Sequence, residues 1–293
     1  LSSLRILAPG KVNLCLFLGP TRDDGRHELV TLFESVSLAD ELVASVADVD
    51  AVMCPGVEGP NLVESALSEL RAAGWEGPPL RVEISKRIPV AGGMGGGSAD
   101  AAAVLRAARE LAPVDAAAIT AIAAGLGADV PSQIKPGVVL GTGAGEVVEH
   151  RPALAPHALL IVPSEHTLST AEVYREADRL GLGRSSEELE RFGAAVAQAA
   201  VHRARIAPEL LVNDLEPAAI SLWPPIQSAL DDVRSCGADE VLVSGSGPTV
   251  VGLFWGEAGT ELAAEAETSL QSRYPGTAAA EPVNADYAMP RIA

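Results

Sequence analysis

The segment Pro89-Val90-Ala91-Gly92-Gly93-Met94-Gly95-Gly96-Gly97-Ser98-Ala99-Asp100 stands between an alternating apolar stretch and an alanine-rich one. Glycines lack a Cβ, so the main chain can approach an anion closely and aim several N–H groups at it. A helix beginning there adds its partial positive charge. The chemistry such a loop offers is retention of a phosphate chain; the plainer alternative is a tightly packed turn. Its spelling excludes two common nucleotide loops. No Gly-Lys-Ser/Thr closes it as a Walker A loop requires, and Ser98 occupies the third-glycine position of a dinucleotide fingerprint begun at Gly93 and Gly95.

The chain has three lysines, Lys11, Lys86 and Lys135, against a formal net charge of -18. A phosphate-bearing ligand needs a local cationic pocket in such a chain, and Lys11 and Lys86 lie in or beside glycine-bearing segments. The same net charge argues against a nucleic-acid partner, whose backbone must be neutralised by cations.

Ala8-Pro9-Gly10-Lys11-Val12-Asn13-Leu14 precedes the central loop and Ser244-Gly245-Ser246-Gly247-Pro248-Thr249 follows it. Together the three segments resemble, in order and over most of the chain, the three motifs of the GHMP kinases. The resemblance implies a two-domain α+β GHMP kinase fold, with a ribosomal-protein-like N-terminal domain and a ferredoxin-like C-terminal domain. It also implies ATP and Mg2+ as cofactors. Gly92, Gly93, Met94, Gly95, Gly96, Gly97 and Ser98 would surround the phosphates, with the Ser98 hydroxyl also on Mg2+. Asn61, Lys86 and Asp100 would lie near the adenine, although Asn61 reads equally as a helix cap and Asp100 as a first-turn helix acid.

Phosphoryl transfer to an alcohol needs the nucleophile held in line, its proton accepted and the phosphoryl charge offset. The resemblance gives the base role to Asp129 and the orienting, charge-offsetting role to Lys11, and a neighbouring cation keeps a carboxylate ionised. The alternatives are a cap or turn aspartate before Pro131 and a solvated strand-edge lysine. Within the family, Arg22–His27, Leu126–Pro131 and Asn213–Pro217 resemble segments of members that act on a diphosphocytidyl-linked alcohol. The implied small-molecule substrate is CDP-methylerythritol, phosphorylated on its 2-hydroxyl.

On that resemblance His27 hydrogen-bonds the cytidine base and Tyr174 stacks on it. Arg26 departs from the pattern, since a tyrosine usually precedes that histidine; a guanidinium can also stack or contact phosphate. Asn13, Thr170 and Asn213 complete the expected substrate set, with capping roles open for the last two. Two other readings are a GHMP kinase for homoserine, mevalonate or a sugar, and a sensor of the same fold that has lost turnover.

The frame for these residues is legible in the apolar pattern. Strands are expected at 4–9, 12–18, 30–38, 42–52 and 80–88, with a polar turn at 22–27 and a loop at 55–60. Helices are expected from Asn61 to about residue 73, over 99–111 with Ser98 before it, and over 115–126, followed by a hairpin over 138–147. The pattern breaks at 151–156, which divides the chain into domains 1–152 and 153–293. Beyond it come a strand at 159–162, helices at 170–180, 186–204 and 217–235 (interrupted at Pro224-Pro225), and strands at 241–243 and 249–254. Helices mixed with mostly non-alternating strands indicate α+β.

Cys15, Cys54 and Cys236 lie far apart with no Cys-x-x-Cys pair, so no disulfide framework or thiolate zinc site is expected and a reducing cytoplasm is the natural setting. No basic-then-apolar leader occurs, nor a run approaching about 18 apolar residues, so neither export nor a membrane span is expected. His150, His157, His166 and His202 have no ligand-like spacing. Nothing decides between monomer and homodimer.

Overall fold

Two β-sheets organise the chain in the computed structural model, which describes residues 3–57, 59–200 and 204–293. Residue 58 of the expected loop and residues 201–203, with His202, lie outside those residues, and the helix expected over 186–204 ends at Ala199, with 204 outside any helix. The first sheet is built on an antiparallel hairpin of β1 (Ser3–Thr21) and β2 (His27–Val46), closed by the polar turn. Each strand fuses stretches that the sequence pattern separates. Register shifts between Pro9 and Lys11 and between Asn13 and Cys15 carry β1 through its interruptions. Bulges of this kind bend a strand and re-aim its side chains, and these flank Lys11 and Asn13.

The second half of β2 pairs with β4 (Leu80–Ser85), and its first half with β5 (Val138–Thr142). The short β3 (Ala51–Met53) lies parallel to β4, β6 (Val147–Arg151) pairs with β5, and β11 (Arg291–Ile292) pairs with β1, completing seven strands. Helices α1 (Leu62–Ala72), α2 (Gly96–Leu111), α3 (Ala116–Leu126) and the short α4 (Val130–Ile134) pack with this sheet. Asn61 caps α1, its side-chain oxygen accepting the Val63 N–H at 2.9 Å. In α2 the alanines at 99, 101–103, 107 and 108 are buried against Ile6, Leu42 and Val82. Their small side chains let the helix approach the sheet closely.

The second sheet, β10-β7-β9-β8, is antiparallel throughout: β7 (His157–Val162), β8 (Glu240–Val243), β9 (Val250–Trp255) and β10 (Ala278–Ala280). With it lie α5 (Thr170–Leu180), α7 (Glu216–Leu222), α8 (Pro225–Ser235) and α9 (Gly259–Leu270), while α6 (Ser186–Ala199) packs on β1 and β2. α6 opens on a capping box between Ser185 and Glu188.

A shared core joins the two sheets, with Val12, Leu14 and Phe17 of β1 packed among residues that include Leu159, Ile161 and Leu253. Alternation sends Val12 and Leu14 inward and leaves Lys11 and Asn13 on the other face, and the register shift after Asn13 brings Phe17 into the same core. Fully burying a side chain such as Leu14 contributes about 1.5–3 kcal/mol, so the core fixes which face β1 presents. After β10 the chain returns to the first sheet, where the Val283 N–H donates to Ser35 O and the Tyr287 hydroxyl to Ser37 O, each at 2.9 Å. Among the described residues no helix is long and apolar enough to cross a membrane.

Candidate active site

A cavity of about 900 Å3 lies where the three glycine-bearing segments meet α5. Gly95, at φ 66°, is the N-cap of α2 and has no side chain to cap it. The first N–H groups of a helix have no partner within it, and Gly96, Gly97 and Ser98, which carry those groups here, line the cavity. The helix therefore starts earlier than expected, and Ser98 sits in its first turn instead of before it. Met94, expected around the phosphates, is buried in the core, and its carbonyl accepts the Lys11 N–H at 3.0 Å. The need for glycine is sharpest at Gly93, where φ is 77° and an added Cβ would stand 2.4 Å from the Ser244 carbonyl oxygen. The third motif is thus packed directly on the loop.

Lys11 Nζ lies 3.4 Å from Asp129 Oδ2 and donates to Asn13 Oδ1 at 2.7 Å. The lysine is buried, while the Asp129 side chain is 32% exposed toward the cavity, which fits a group that must meet a substrate. An added Cβ on Gly95 would be 3.2 Å from Lys11 Cε and 3.5 Å from Asp129 Oδ2, so the pair lies against the start of α2. Asp129 makes no side-chain cap bond to α4, and the capping alternative is not what this side chain does. Asn13 is fixed in turn by donating to Thr31 Oγ1 at 2.8 Å.

The two backbones that carry this pair are tied together from below by Arg106 of α2. Its guanidinium donates to Leu7 O at 2.8 Å, Gln133 O at 2.6 Å and Ala288 O at 3.2 Å. Burial pulls its pKa down to about 9, which still leaves it charged at neutral pH.

Asn61, Lys86 and Asp100 do not line the cavity. Asn61 spends its side-chain oxygen on the α1 cap. Lys86 lies beneath the loop between two buried acids, donating to Asp40 and, at 2.7 Å, to Asp100. Burial first, and then Asp40, push Asp100 up to about 7 against the opposing pull of Lys86. For Lys86 the two carboxylates outweigh burial and raise its pKa. With Nζ 3.2 Å from the Cβ position of Gly96, this triad braces the loop. The sequence pattern shows Asp40 only as the end of an apolar stretch.

The far end of the cavity is made of side chains. His27 is buried, with Nε2 at 2.7 Å from Asp178 Oδ1, so the proton sits on Nε2 and the carboxylate accepts it. Its ring lies 5.3 Å from that of Tyr174, centroid to centroid. Burial, with the Asp129 charge second, raises the Tyr174 phenol, which stays neutral. Arg26 reaches the cavity but is held by Asp24, with Nη2 at 2.9 Å. Thr170 shares a hydrogen bond with Ser246 at 3.0 Å.

Asn213 is not on the cavity wall. Its amide donates to Val243 O and Gly245 O, both at 2.7 Å, and its oxygen accepts the Leu215 N–H, so it braces the third motif. Asp178 and Arg175 of α5 do line the cavity, and sequence reasoning misses them. The signal available is their spacing of four from Tyr174 and Ala171 on an expected helix. His157, with no ligand role expected, is buried against Glu34 at 2.7 Å. No group of three or more His, Cys, Asp or Glu side chains among the described residues is arranged to hold a metal ion by itself.

This fold and site place the chain in a class. Profiles of the GHMP kinases N terminal domain and the GHMP kinases C terminal match residues 61–137 and 187–276. The chain belongs to the GHMP kinase family. A 4-diphosphocytidyl-2-C-methyl-D-erythritol kinase of Salinispora arenicola is 39% identical to it, covering 89% of this chain and 86% of the relative. One of the same description from a Nocardioides species is 41% identical, covering 83% and 86%. A crystal structure of 4-(cytidine 5'-diphospho)-2C-methyl-D-erythritol kinase superposes with a TM-score of 0.73 at 33% identity, over 94% of this chain and 98% of that one. A homoserine kinase from Cytophaga hutchinsonii, at 20% identity and a TM-score of 0.61, shares the fold over 100% and 98%.

Proposed function

We propose that this chain transfers the γ-phosphoryl group of ATP to the 2-hydroxyl of 4-diphosphocytidyl-2-C-methyl-D-erythritol. The observation that carries the reading is the contact of Lys11 with Asp129 against the N-terminus of α2, in a cavity whose other end is His27 and Tyr174. The main-chain N–H groups of the loop hold the ATP phosphates, because they present donors without a side chain in the way. Asp129 accepts the proton of the substrate hydroxyl as the new O–P bond forms and the bond to the β-phosphate oxygen breaks, releasing ADP. Lys11 orients Asp129 and faces the charge on the transferring group.

Mg2+ supplies charge neutralisation to the phosphates. The Ser98 hydroxyl, on the cavity wall, would hold it, since Mg2+ needs few protein ligands when bound with phosphates. At the acceptor end Asn13, Arg26, His27, Thr170 and Tyr174 serve the substrate, the first by orienting Lys11. Domains 1–152 and 153–293 both line the cleft, the first with the loop, Lys11, Asp129 and His27 and the second with Tyr174 and the third motif, and the reaction takes place in a reducing cytoplasm.

The test is turnover with acceptor alcohols exchanged under one set of conditions. ADP release should depend on the diphosphocytidyl substrate, with homoserine, mevalonate and simple sugars at background. A preference for any of those alcohols overturns the substrate. Tight binding of ATP and substrate without product overturns the catalytic reading.

A further inference from the structure

The proposed substrate carries a diphosphate, and a role for any residue toward that group rests on the proposed function. In a chain with net charge -18, the diphosphate needs cations on the cavity wall. The lysines and arginines lining the cavity are Lys11, Arg26 and Arg175. Two of them are engaged: Lys11 by Asn13 at 2.7 Å and Asp129 at 3.4 Å, and Arg26 by Asp24 at 2.9 Å.

Arg175 is different. The only acid within ion-pair range of it among the described residues is Glu172, at 3.9 Å and outside hydrogen-bond reach, and its Nε donates to Ala171 O of its own helix at 3.2 Å. Its side chain is 73% exposed, so the two η-nitrogens are free to turn toward a ligand. It follows Tyr174 directly, and Ala171, Tyr174, Arg175 and Asp178 all line the cavity from one side of α5. A cation at this point lies beside the aromatic ring that receives the base and on the helix whose tyrosine feels the Asp129 charge.

We propose that Arg175 binds the diphosphate of the acceptor substrate, between the base at His27 and Tyr174 and the hydroxyl at Asp129. A guanidinium presents a planar fork that matches two phosphate oxygens, which the loop amides at the other end do for ATP. Arg175 is then a specificity residue: it favours alcohols joined to a nucleoside through phosphates over bare ones.

The experiment compares the intact chain with its Arg175→Gln and Arg175→Lys variants. Because the side chain is exposed, the urea midpoint should not move. Arg175→Gln should raise KM for the diphosphocytidyl substrate by about 5–20-fold, with kcat and KM for ATP within about twofold. CDP should bind more weakly by a similar factor while cytidine is unchanged, and Arg175→Lys should recover part of the loss. Unchanged CDP affinity, an equal loss for cytidine, or a loss confined to ATP overturns the proposal, as does a wild type that binds CDP no better than cytidine. If the wild type fails to turn over the diphosphocytidyl alcohol, the proposed function falls, while the comparison of CDP with cytidine still decides the role of Arg175.

Discussion

The two ends of the cavity are built from different materials. At the α2 end the wall is main chain, and its glycines are fixed by packing, since Gly93 has no room for a Cβ beside Ser244. At the α5 end it is side chain, with His27, Tyr174, Arg175 and Asp178 converging from two sheets' worth of structure. Backbone amides report little beyond charge and shape, which suits a triphosphate common to every member of a kinase family. Side chains discriminate, which suits an acceptor that differs between members. On the proposed function, the reaction is encoded at the end that holds Lys11 and Asp129 and the choice of alcohol at the other.

Asp129→Asn tests the division most severely, because it removes the proposed base while leaving the loop amides and the α5 side chains in place. It should lower kcat by about 10²–10⁴, leaving ATP and substrate affinities modestly changed. A near-normal kcat in single-turnover measurements would take the base role from Asp129.

Gly93→Ala attacks the main-chain end. The positive φ and the 2.4 Å approach to Ser244 O together should destabilise the fold by about 2–4 kcal/mol in urea unfolding and weaken ATP, with cytidine binding retained in the folded fraction. Unaltered stability and ATP affinity would mean that the loop does not need glycine there. Tyr174→Ala attacks the side-chain end and should weaken the acceptor by about 1–3 kcal/mol, read as KM, with ATP untouched. An equal effect on both substrates would erase the distinction between the ends.

The smallest effect concerns the seam that holds the ends in register. Burial disfavours the charged form of His157, but the Glu34 carboxylate and the Ala155 carbonyl outweigh it and raise its pKa above the ordinary value near 6.5. A histidine whose pKa is raised by folding stabilises fully below its unfolded pKa and loses that contribution as pH climbs through the folded one. Thermal midpoints should therefore decline from about pH 6 toward pH 8 by more than in Glu34→Gln, after allowing for other groups. Parallel profiles would remove the pair from the pH response.

Much of the main-chain end is legible in the sequence, because glycine spacing is itself the structural requirement there. Apolar periodicity finds α1, α3, α5 and the core strands for the same reason: the residues that pack are the residues that repeat. The bulges that fuse the early strands are not legible, since a register shift leaves no local pattern. Neither are Asp40 and Arg106, whose partners lie 46 and up to 182 positions away. Motif membership makes Asn213 and Asp100 look like ligand contacts, but polar residues in a motif can serve the motif, and both have their hydrogen bonds turned inward. The elements beyond residue 255 carry no sequence-based expectation, although Gly256 and Gly259 mark the start of α9 and Pro275-Gly276 the approach to β10.

The pairing of Arg291 and Ile292 with Arg5 and Leu4 has a consequence for how the chain is made. Nascent chains generally fold their earliest domain first, as it leaves the ribosome. Here the outer edge of β1 at Leu4 and Arg5 is covered by residues translated after both sheets, and Ala288 must arrive before Arg106 can close its clasp. Until then that edge is a template for a foreign strand. Synthesis of this protein should accordingly be most open to aggregation, and most in need of a chaperone, in the interval before residues 288–292 emerge.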